Sequence, residues 1–434
     1  MPEYGTKRAR AAAFAARTAL VLSLTLPAAA CDGLLDVQPE PHTVPGEELE
    51  KPTALEARMI GAEANFFMAY DMAIVFGGLF ADELFTGSNS LAVEQRRVTP
   101  DDGTIGAADE NEEGIDGLWT PMQRAAFTSN DLQEDIVAGV FGDRTPGAAD
   151  SPQAARMSLF AGLSKLVLGE LFCTTAFNGV GPEYTSAETY QLAVDEFTVA
   201  IEADGAEEDV LNAALVGRAR AYLHLGELDL AEADAARVPA DWVYIADVYS
   251  TNSAAEENDI WNMLSDSQRY TVDERFRNLT IDDTGEPDPR VDVFQDPNNP
   301  VNQDGSTPLF QARKYIDATS PIRLATGTEA LLIRAEIAAA RGDAASLDQA
   351  VDLINQARAL YGITQQYTGG TQQEVLEKIL DEKGRALFLE GQRMGDLRRF
   401  RERYGIDRFP TGEGYEDNVC MPLPNAERDN NPEI

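Results

Sequence analysis

Apolar residues recur at helical spacing along most of this chain, and that periodicity constrains the fold more than any other feature. Phe160, Leu163, Val167 and Leu171 fall at i, i+3, i+7 and i+11, one face of a helix that begins near Gln153. Tyr190, Val194, Phe197 and Ile201 form a second stripe, and Leu211, Leu215, Tyr222 and Leu225 a third. Thr185 and Glu188 make a T-x-x-E capping box ahead of the second stripe. Thr371 and Glu374 make another ahead of Val375, Leu376, Ile379, Leu380, Leu387 and Phe388. That last stripe is expected to continue as helix through Glu390-Gly391-Gln392-Arg393. Gly/Pro breaks such as Asn178-Gly179-Val180-Gly181-Pro182 separate the stripes. Amphipathic helices in this order must bury their apolar faces on one another, which predicts a mostly α fold.

Two segments indicate how the helices pack. Within 217–239, Tyr222, Gly226, Ala231 and Val238-Pro239 match the centre of a tetratricopeptide repeat, where small residues let two helices approach closely. Within 332–357, Ala335, Ala338 and Ala339 precede a Gly342-Asp343 turn, followed by Ala350, Ile354 and Ala357. Generic Ala-rich hairpins fit the same residues, and in both readings helix packs on helix. Between Asp241 and Ile322 Pro, Asn, Asp and Gly cluster, which predicts short strands and long loops. Binding residues often sit on such loops. The Asp/Asn clusters lack the spacing of an EF-hand loop and read as solvated turns.

The first thirty residues read as an address. Lys7, Arg8, Arg10 and Arg17 precede an apolar run from Ala19 to Leu26, and Ala28-Ala29-Ala30 leads into Cys31. The run is shorter than the roughly 20 residues a spanning helix needs, and no later segment approaches that length, so none is expected to span. Small residues directly before a Cys resemble a bacterial lipobox, with Ala28 where Leu is usual, so Cys31 is the lipidation candidate. An ordinary signal with an unmodified Cys31 is the alternative. Export puts the thiols in an oxidising compartment, and if Cys31 carries lipid, Cys173 and Cys420 are left as an even pair. They are a disulfide candidate, with two separate buried thiols as the other reading.

Composition excludes several functions. Asp and Glu number 74 against 35 Lys and Arg, a formal net charge of −39, which is unsuited to nucleic acid or to electrostatic attachment to an anionic membrane. The excess of surface carboxylate suits a saline habitat. The two histidines, His42 and His224, and the absence of C-x-x-C argue against His-rich metal sites and zinc ribbons. No H-E-x-x-H, P-loop or G-x-G-x-x-G occurs, so no catalytic residue, cofactor or metal is assigned. Asp82-Glu83 reads as a solvated pair. Six arginines between Arg393 and Arg408 read as internal partners for the surplus carboxylates.

Several ordered fragments resemble the SusD/RagB family of outer-membrane nutrient-binding lipoproteins. Cys31-Asp32-Gly33-Leu34-Leu35-Asp36-Val37-Gln38-Pro39 is similar to its mature start, and Trp119 with Asn130 to its early helix. Leu168-Gly169-Glu170, Asp288-Pro289-Arg290, Lys314-Tyr315, Pro321-Ile322-Arg323 and Glu329-Ala330-Leu331-Leu332-Ile333-Arg334-Ala335-Glu336 follow in the family's order. Glu382, Arg385, Phe388, Gly391, Arg393, Asp396, Leu397 and Arg399 resemble its E-R-x-x-E-x-x-x-E-G-x-R-x-x-D-L-x-R helix, with Lys383 in place of the first Arg. Met421-Pro422-Leu423-Pro424, Glu427 and Asn431-Pro432 resemble its closing segment.

The resemblance implies tetratricopeptide-like helical hairpins supporting an irregular ligand-binding region, an α-α superhelix of the SusD type. It implies no enzyme activity. It further implies a lipid-anchored protein on the extracellular face of the outer membrane. Such a protein takes up nutrients by binding glycans or other oligomers and delivering them to a TonB-dependent transporter. A surface-anchored hydrolase, or a structural assembly lipoprotein without its own ligand, is the alternative. The expected organisation is a signal peptide over 1–30 and one domain over 31–434. Within that domain, 31–240 carries repeat-like helices, 241–322 is loop-rich, and 323–434 is helical again. Glycan binders stack sugars on aromatic faces and hydrogen-bond their hydroxyls. Trp242 and Tyr244, and Phe85 with Asn89, are the candidate ligand-binding residues, while Trp119 and Trp261 read as structural.

Overall fold

The structure is a computed structural model that describes residues 46–88, 118–142, 151–246, 248–252, 256–282, 284–412, 415 and 417–434. Cys31, His42 and Asn89 lie outside the described residues. The chain divides into two units, of which the first, ending at Ala54, contributes a one-turn helix Gly46–Leu49 and a 3-10 turn Pro52–Ala54. All else belongs to the second unit, from Leu55 to Ile434.

Helices carry that second unit: α1 (Leu55–Phe80), α2 (Trp119–Ala138), α3 (Pro152–Leu171), α4 (Ser186–Glu202), α5 (Glu208–Leu225) and α6 (Leu228–Ala235). After the loop-rich segment come α7 (Gly327–Arg341), α8 (Ala344–Ala359), α9 (Gln372–Ala386), α10 (Arg393–Tyr404) and α11 (Asn425–Asn430). From α1 to α6 each helix packs on the next, and α7 packs on α5, α6, α8 and α9. Both capping boxes form as the sequence predicts, Thr185 with Glu188 and Thr371 with Glu374. The two repeat-like segments are the α5–α6 and α7–α8 hairpins, each turned by a glycine in the left-handed region, Gly226 (φ 86°) and Gly342 (φ 75°).

Close approach of α3, α4 and α5 has a specific cause. Phe197 of α4 fills the space above two glycines. A Cβ at Gly162 would meet its ring at 2.8 Å, and one at Gly217 at 2.5 Å. The ring is fully buried. Its burial contributes roughly 2–3 kcal/mol, which is available only because both neighbours lack a side chain.

Two sequence expectations need correction. First, α1 is long and apolar enough to cross a membrane by length and composition, contrary to the reading that no later segment approaches that length. Of its apolar window, 72% is buried, with Phe66, Tyr70 and Ile74 in the core, so it serves as a core helix. Second, the helix starting at Gln372 does not run on through Glu390. It ends at Ala386, and α10 starts at Arg393. Between them Leu389 (φ 52°) and Gly391 (φ 93°) take left-handed conformations that break the ladder. Side chains satisfy the freed backbone. Tyr70 Oη donates to Glu390 O at 2.6 Å, Tyr315 Oη to Leu389 O at 2.7 Å, and Lys314 Nζ to Phe388 O at 2.7 Å. Leu389 N donates to Glu83 Oε1 at 2.8 Å.

The segment from Asp241 to Ile322 carries short antiparallel strands with long connections, and three more short strands precede it. Leu84–Thr86 (β1) pairs with Tyr270–Val272 (β5), and Thr174–Thr175 (β2) with Tyr184–Thr185 (β3). Val243–Ala246 (β4) pairs with Ile322–Thr326 (β8), and Val293–Phe294 (β6) with Gln311–Ala312 (β7). The acidic turns here cap themselves. Asp304 Oδ1 accepts from the Ser306 and Thr307 amides, each at 2.8 Å, and Asp296 Oδ1 from the Asn298 amide at 2.8 Å. Cys173 and Cys420 are joined by a disulfide, with Cα atoms 5.0 Å apart. Beside it Met421 N donates to Leu171 O, and Cys173 N to Met421 O, each at 2.8 Å.

Candidate functional site

Trp242 and Tyr244 stand at the start of β4, just after the α5–α6 hairpin. Alternation along a strand puts residues 242 and 244 on one face and 243 and 245 on the other. The inward face carries the two rings, half-buried and packed against the core. The outward face carries Val243 (38% exposed) and Ile245 (50% exposed). The rings lie nearly parallel, 19° apart, with centroids 6.5 Å apart. Trp242 Nε1 donates to Asp209 Oδ1 at 2.8 Å, which ties the indole to the first turn of α5. Burial pushes the Tyr244 phenol up to about 12, with Glu63 adding to the shift and Arg156 opposing it. The strand's position depends on Gly327. A Cβ there would meet Pro239 O at 2.1 Å, so α7 begins against the 239–242 turn only because its first residue is glycine. The result is a short aromatic ledge, edged by Asp209, whose exposed ring edges are the kind of surface on which a polyhydroxylated ligand packs.

Phe85 lies elsewhere. It sits in the middle of β1, opposite Thr271 of β5, and is half-buried. Trp242 and Tyr244 belong to the β4–β8 pair, so the sequence candidates fall on two separate two-stranded sheets. Trp119, 4% exposed, packs edge-on against Phe172 with ring centroids 4.8 Å apart. Trp261 is partly buried against the core.

Asp82 and Glu83 are not solvated, as the sequence reading had them. They are 2% and 1% exposed. Asp82 accepts a two-pronged bond from Arg393, Nε at 2.6 Å and Nη2 at 2.7 Å. Glu83 accepts the Leu389 amide, and burial pushes its carboxyl up to about 8 against the pull of Arg393 and Lys314. The pair Asp82–Arg393 forms one side of a cavity of about 360 Å³ whose apolar wall is Phe276, Leu279 and Leu380.

The residues that carry the family resemblance collect in buried ionic networks. One joins five helices. Arg220 of α5 reaches Glu170 of α3 at 3.2 Å and Glu329 of α7 at 3.1 Å. Arg399 of α10 pairs with Glu336 of α7 at 2.8 Å and with Asp396, while Lys383 of α9 reaches Glu336 at 3.2 Å and Asp396 at 2.8 Å. Burial raises Glu170 and Glu329 to about 7 each, and the cations hold Asp396 well below the ordinary carboxylate range despite its burial. A second network joins Asp288, Arg290 and Glu382, with Arg358 against Glu382 at 3.5 Å. These signature charges hold helices and loops in register. Among the described residues they do not line the aromatic ledge.

The comparisons agree with this architecture. Residues 299–422 match the SusD family model. The fold is similar to surface glycan-binding protein A from Bacteroides uniformis, with TM-score 0.61 at 15% identity over 86% of this chain and 98% of that one. It is similar to a SusD-like carbohydrate binding protein from Bacteroides vulgatus, with TM-score 0.61 at 16% identity over 88% and 97%. A SusD superfamily protein from Bacteroides fragilis matches with TM-score 0.62 at 16% identity over 88% and 99%. Comparison with curated protein sequences finds no match. The resemblance read from the sequence therefore stands, and the chain has the mostly helical SusD-type fold.

Proposed function

We propose that this chain is a nutrient-binding lipoprotein of the SusD type. In this reading it is anchored through a lipid on Cys31, displays its body on the outer face of the outer membrane, and binds glycans or other nutrient oligomers. It then passes them to a TonB-dependent transporter. The observation that carries the reading is the near-complete coverage of SusD-type structures, at 97–99% of their length, together with a SusD family match at 299–422. One of those structures is described as a carbohydrate binding protein and another as a surface glycan-binding protein. The Trp242–Tyr244 ledge supplies the aromatic surface such a ligand needs, and the motif charges are already engaged in holding the scaffold together.

Calorimetric titration with a panel of neutral polysaccharide fragments tests the reading. Saturable binding without release of product is expected, and cleavage of the titrant would favour a surface hydrolase. Trp242→Ala removes the exposed edge of the ledge and its bond to Asp209 while leaving the β4–β8 ladder intact. It is expected to weaken a bound glycan about tenfold, on the order of 1.4 kcal/mol, in a protein that still folds, with a lowered melting temperature because the indole also packs on the core. Unchanged affinity would remove Trp242 from the site, and no binding by any fragment would remove the glycan reading.

A further inference from the structure

In a chain with 74 acidic residues against 35 basic ones, a cavity walled by guanidinium groups stands apart. One of about 410 Å³ opens between the start of α4 and α10. That volume lies within the range of about 300–1,000 Å³ common to small-molecule sites. Arg398, Arg399 and Arg403 line it, with Glu402 the carboxylate in the lining.

The balance of charge in the cavity decides what it can hold. Arg399 is neutralised by Glu336 and Asp396. Arg398 and Arg403 are held differently, because both cap the C-terminal ends of helices. Arg398 Nη1 donates to the carbonyls of Gly169 (3.0 Å), Glu170 (2.8 Å) and Phe172 (3.2 Å) at the end of α3. Arg403 donates to the carbonyls of Leu223 (2.9 Å) and His224 (3.1 Å) at the end of α5. Carbonyl dipoles favour a cation there but carry no net charge. Two guanidinium charges therefore face one carboxylate, Glu402, which sits exposed at the rim. Arg398 is only 8% exposed, and its Nε–H meets no acceptor among the described residues. Desolvated, and with no carboxylate in ion-pair contact among the described residues, it favours an anion.

The remaining walls suit the same guest. Tyr190 stacks on His224, ring centroids 4.5 Å apart, and the pair makes a flat floor. Ser186 and Ala187, in the first turn of α4, form the opposite lip, and Arg398 Nη2 donates to Ser186 Oγ at 3.1 Å. Glu188, the acid nearest that lip, is turned back into its capping box with Thr185.

We propose that this cavity binds an oxyanion, the carboxylate or sulfate group of a small ligand, held by the Arg398 and Arg403 forks above the Tyr190–His224 floor. The site is separate from the aromatic ledge and does not depend on the glycan reading, since the guest is specified by its charge.

Calorimetric titration of the whole chain in chloride buffer of fixed ionic strength, about 0.15 M, tests this. Sodium galacturonate and sodium sulfate are the probes, and galactose is the neutral control. At least one of the two anions is expected to bind saturably, and galactose is expected not to compete. Binding of both assigns the site to the oxyanion alone, and binding of galacturonate only assigns it to a sugar acid. The diagnostic variant is Ala187→Glu. Position 187 is exposed, and a carboxylate in the first turn of a helix suits the dipole, so the fold should be retained. The variant is expected to lose about tenfold or more in affinity, whereas the similarly sized Ala187→Gln loses much less. Neutral-glycan binding should survive in both. Failure of both anions to bind, wild-type affinity in Ala187→Glu, or equal loss in the two variants would each overturn the proposal.

Discussion

Replacing Glu83 by Gln should make this protein more stable at alkaline pH, and the size of the gain follows from the structure. Glu83 is 1% exposed, accepts the Leu389 amide at 2.8 Å, and has its carboxyl pushed from 4.5 up to about 8 by burial. A carboxyl raised in the folded state binds its proton more tightly there than in the unfolded chain. Its contribution to stability is then whole below about pH 4.5 and is lost as pH rises through 8. The full difference is about 5 kcal/mol at roughly 1.4 kcal/mol per pH unit, an upper bound. Of this, about 2–3 kcal/mol falls between pH 6 and 9. Gln keeps the oxygen that accepts from Leu389 and never ionises. Chemical denaturation of both proteins at pH 6, 7, 8 and 9 measures the difference directly. Other buried carboxylates that titrate near neutrality, Glu170 and Glu329, cancel because both proteins contain them. The stability of Glu83→Gln relative to the parent should climb by about 2–3 kcal/mol over that range. A flat difference would show that Glu83 ionises alike in both states and that the seal over the Phe388–Glu390 turn does not depend on a protonated acid.

Reducing Cys173–Cys420, which closes a separation of 247 residues, should cost about 2–5 kcal/mol. The Phe172–Met421 bridge beside it keeps the two segments aligned, so the reduced protein should still fold, with a lower melting temperature; an unchanged melt in reductant would mean that this bridge alone suffices. Raising salt from 0.1 M to 1 M shortens the screening length from about 10 to about 3 Å, so the surface repulsion implied by a net charge of −39 should fall and the melting temperature rise. A melting temperature that drops as salt rises would place the dominant electrostatics in the attractive ion pairs instead.

The helical body was legible because helix signals are local. A capping box occupies four residues, and Thr185–Glu188 and Thr371–Glu374 form in the structure as their spacing requires. The hairpin glycines Gly226 and Gly342 likewise turn where small residues flank a periodic stripe. What the sequence concealed depends on distant partners. Asp82-Glu83 reads as a polar pair in a loop until Arg393 and the Leu389 amide, more than 300 residues away, are brought against it. The break at Leu389 and Gly391 was hidden for the same reason. The apolar stripe stops at Phe388 with no local signal for a left-handed Leu389, and the kink persists because Tyr70, Lys314 and Tyr315 reach in to satisfy the carbonyls it frees.

The candidate site was the least legible part, and the physical reason is instructive. Aromatic residues suited to a ligand and aromatic residues suited to a core are the same residues, so Trp242 and Trp119 differ only in what surrounds them. Trp119 is sealed against Phe172, whereas Trp242 keeps an edge and a bond to Asp209 at the surface. Charge misled in the opposite direction. The arginines from Arg393 to Arg408 pointed to ion pairs with surplus acids, and Arg393, Arg399, Arg401 and Arg408 do make them. Arg398 and Arg403 instead spend their donors on carbonyls at the ends of α3 and α5, whose positions no sequence spacing encodes. A guanidinium bound to a carboxylate is electrically closed, but one bound to carbonyls is satisfied in hydrogen bonds and still open in charge. That distinction separates the scaffold arginines from those that can take a ligand, and in a chain with a net charge of −39 it marks where an anion can be welcome at all.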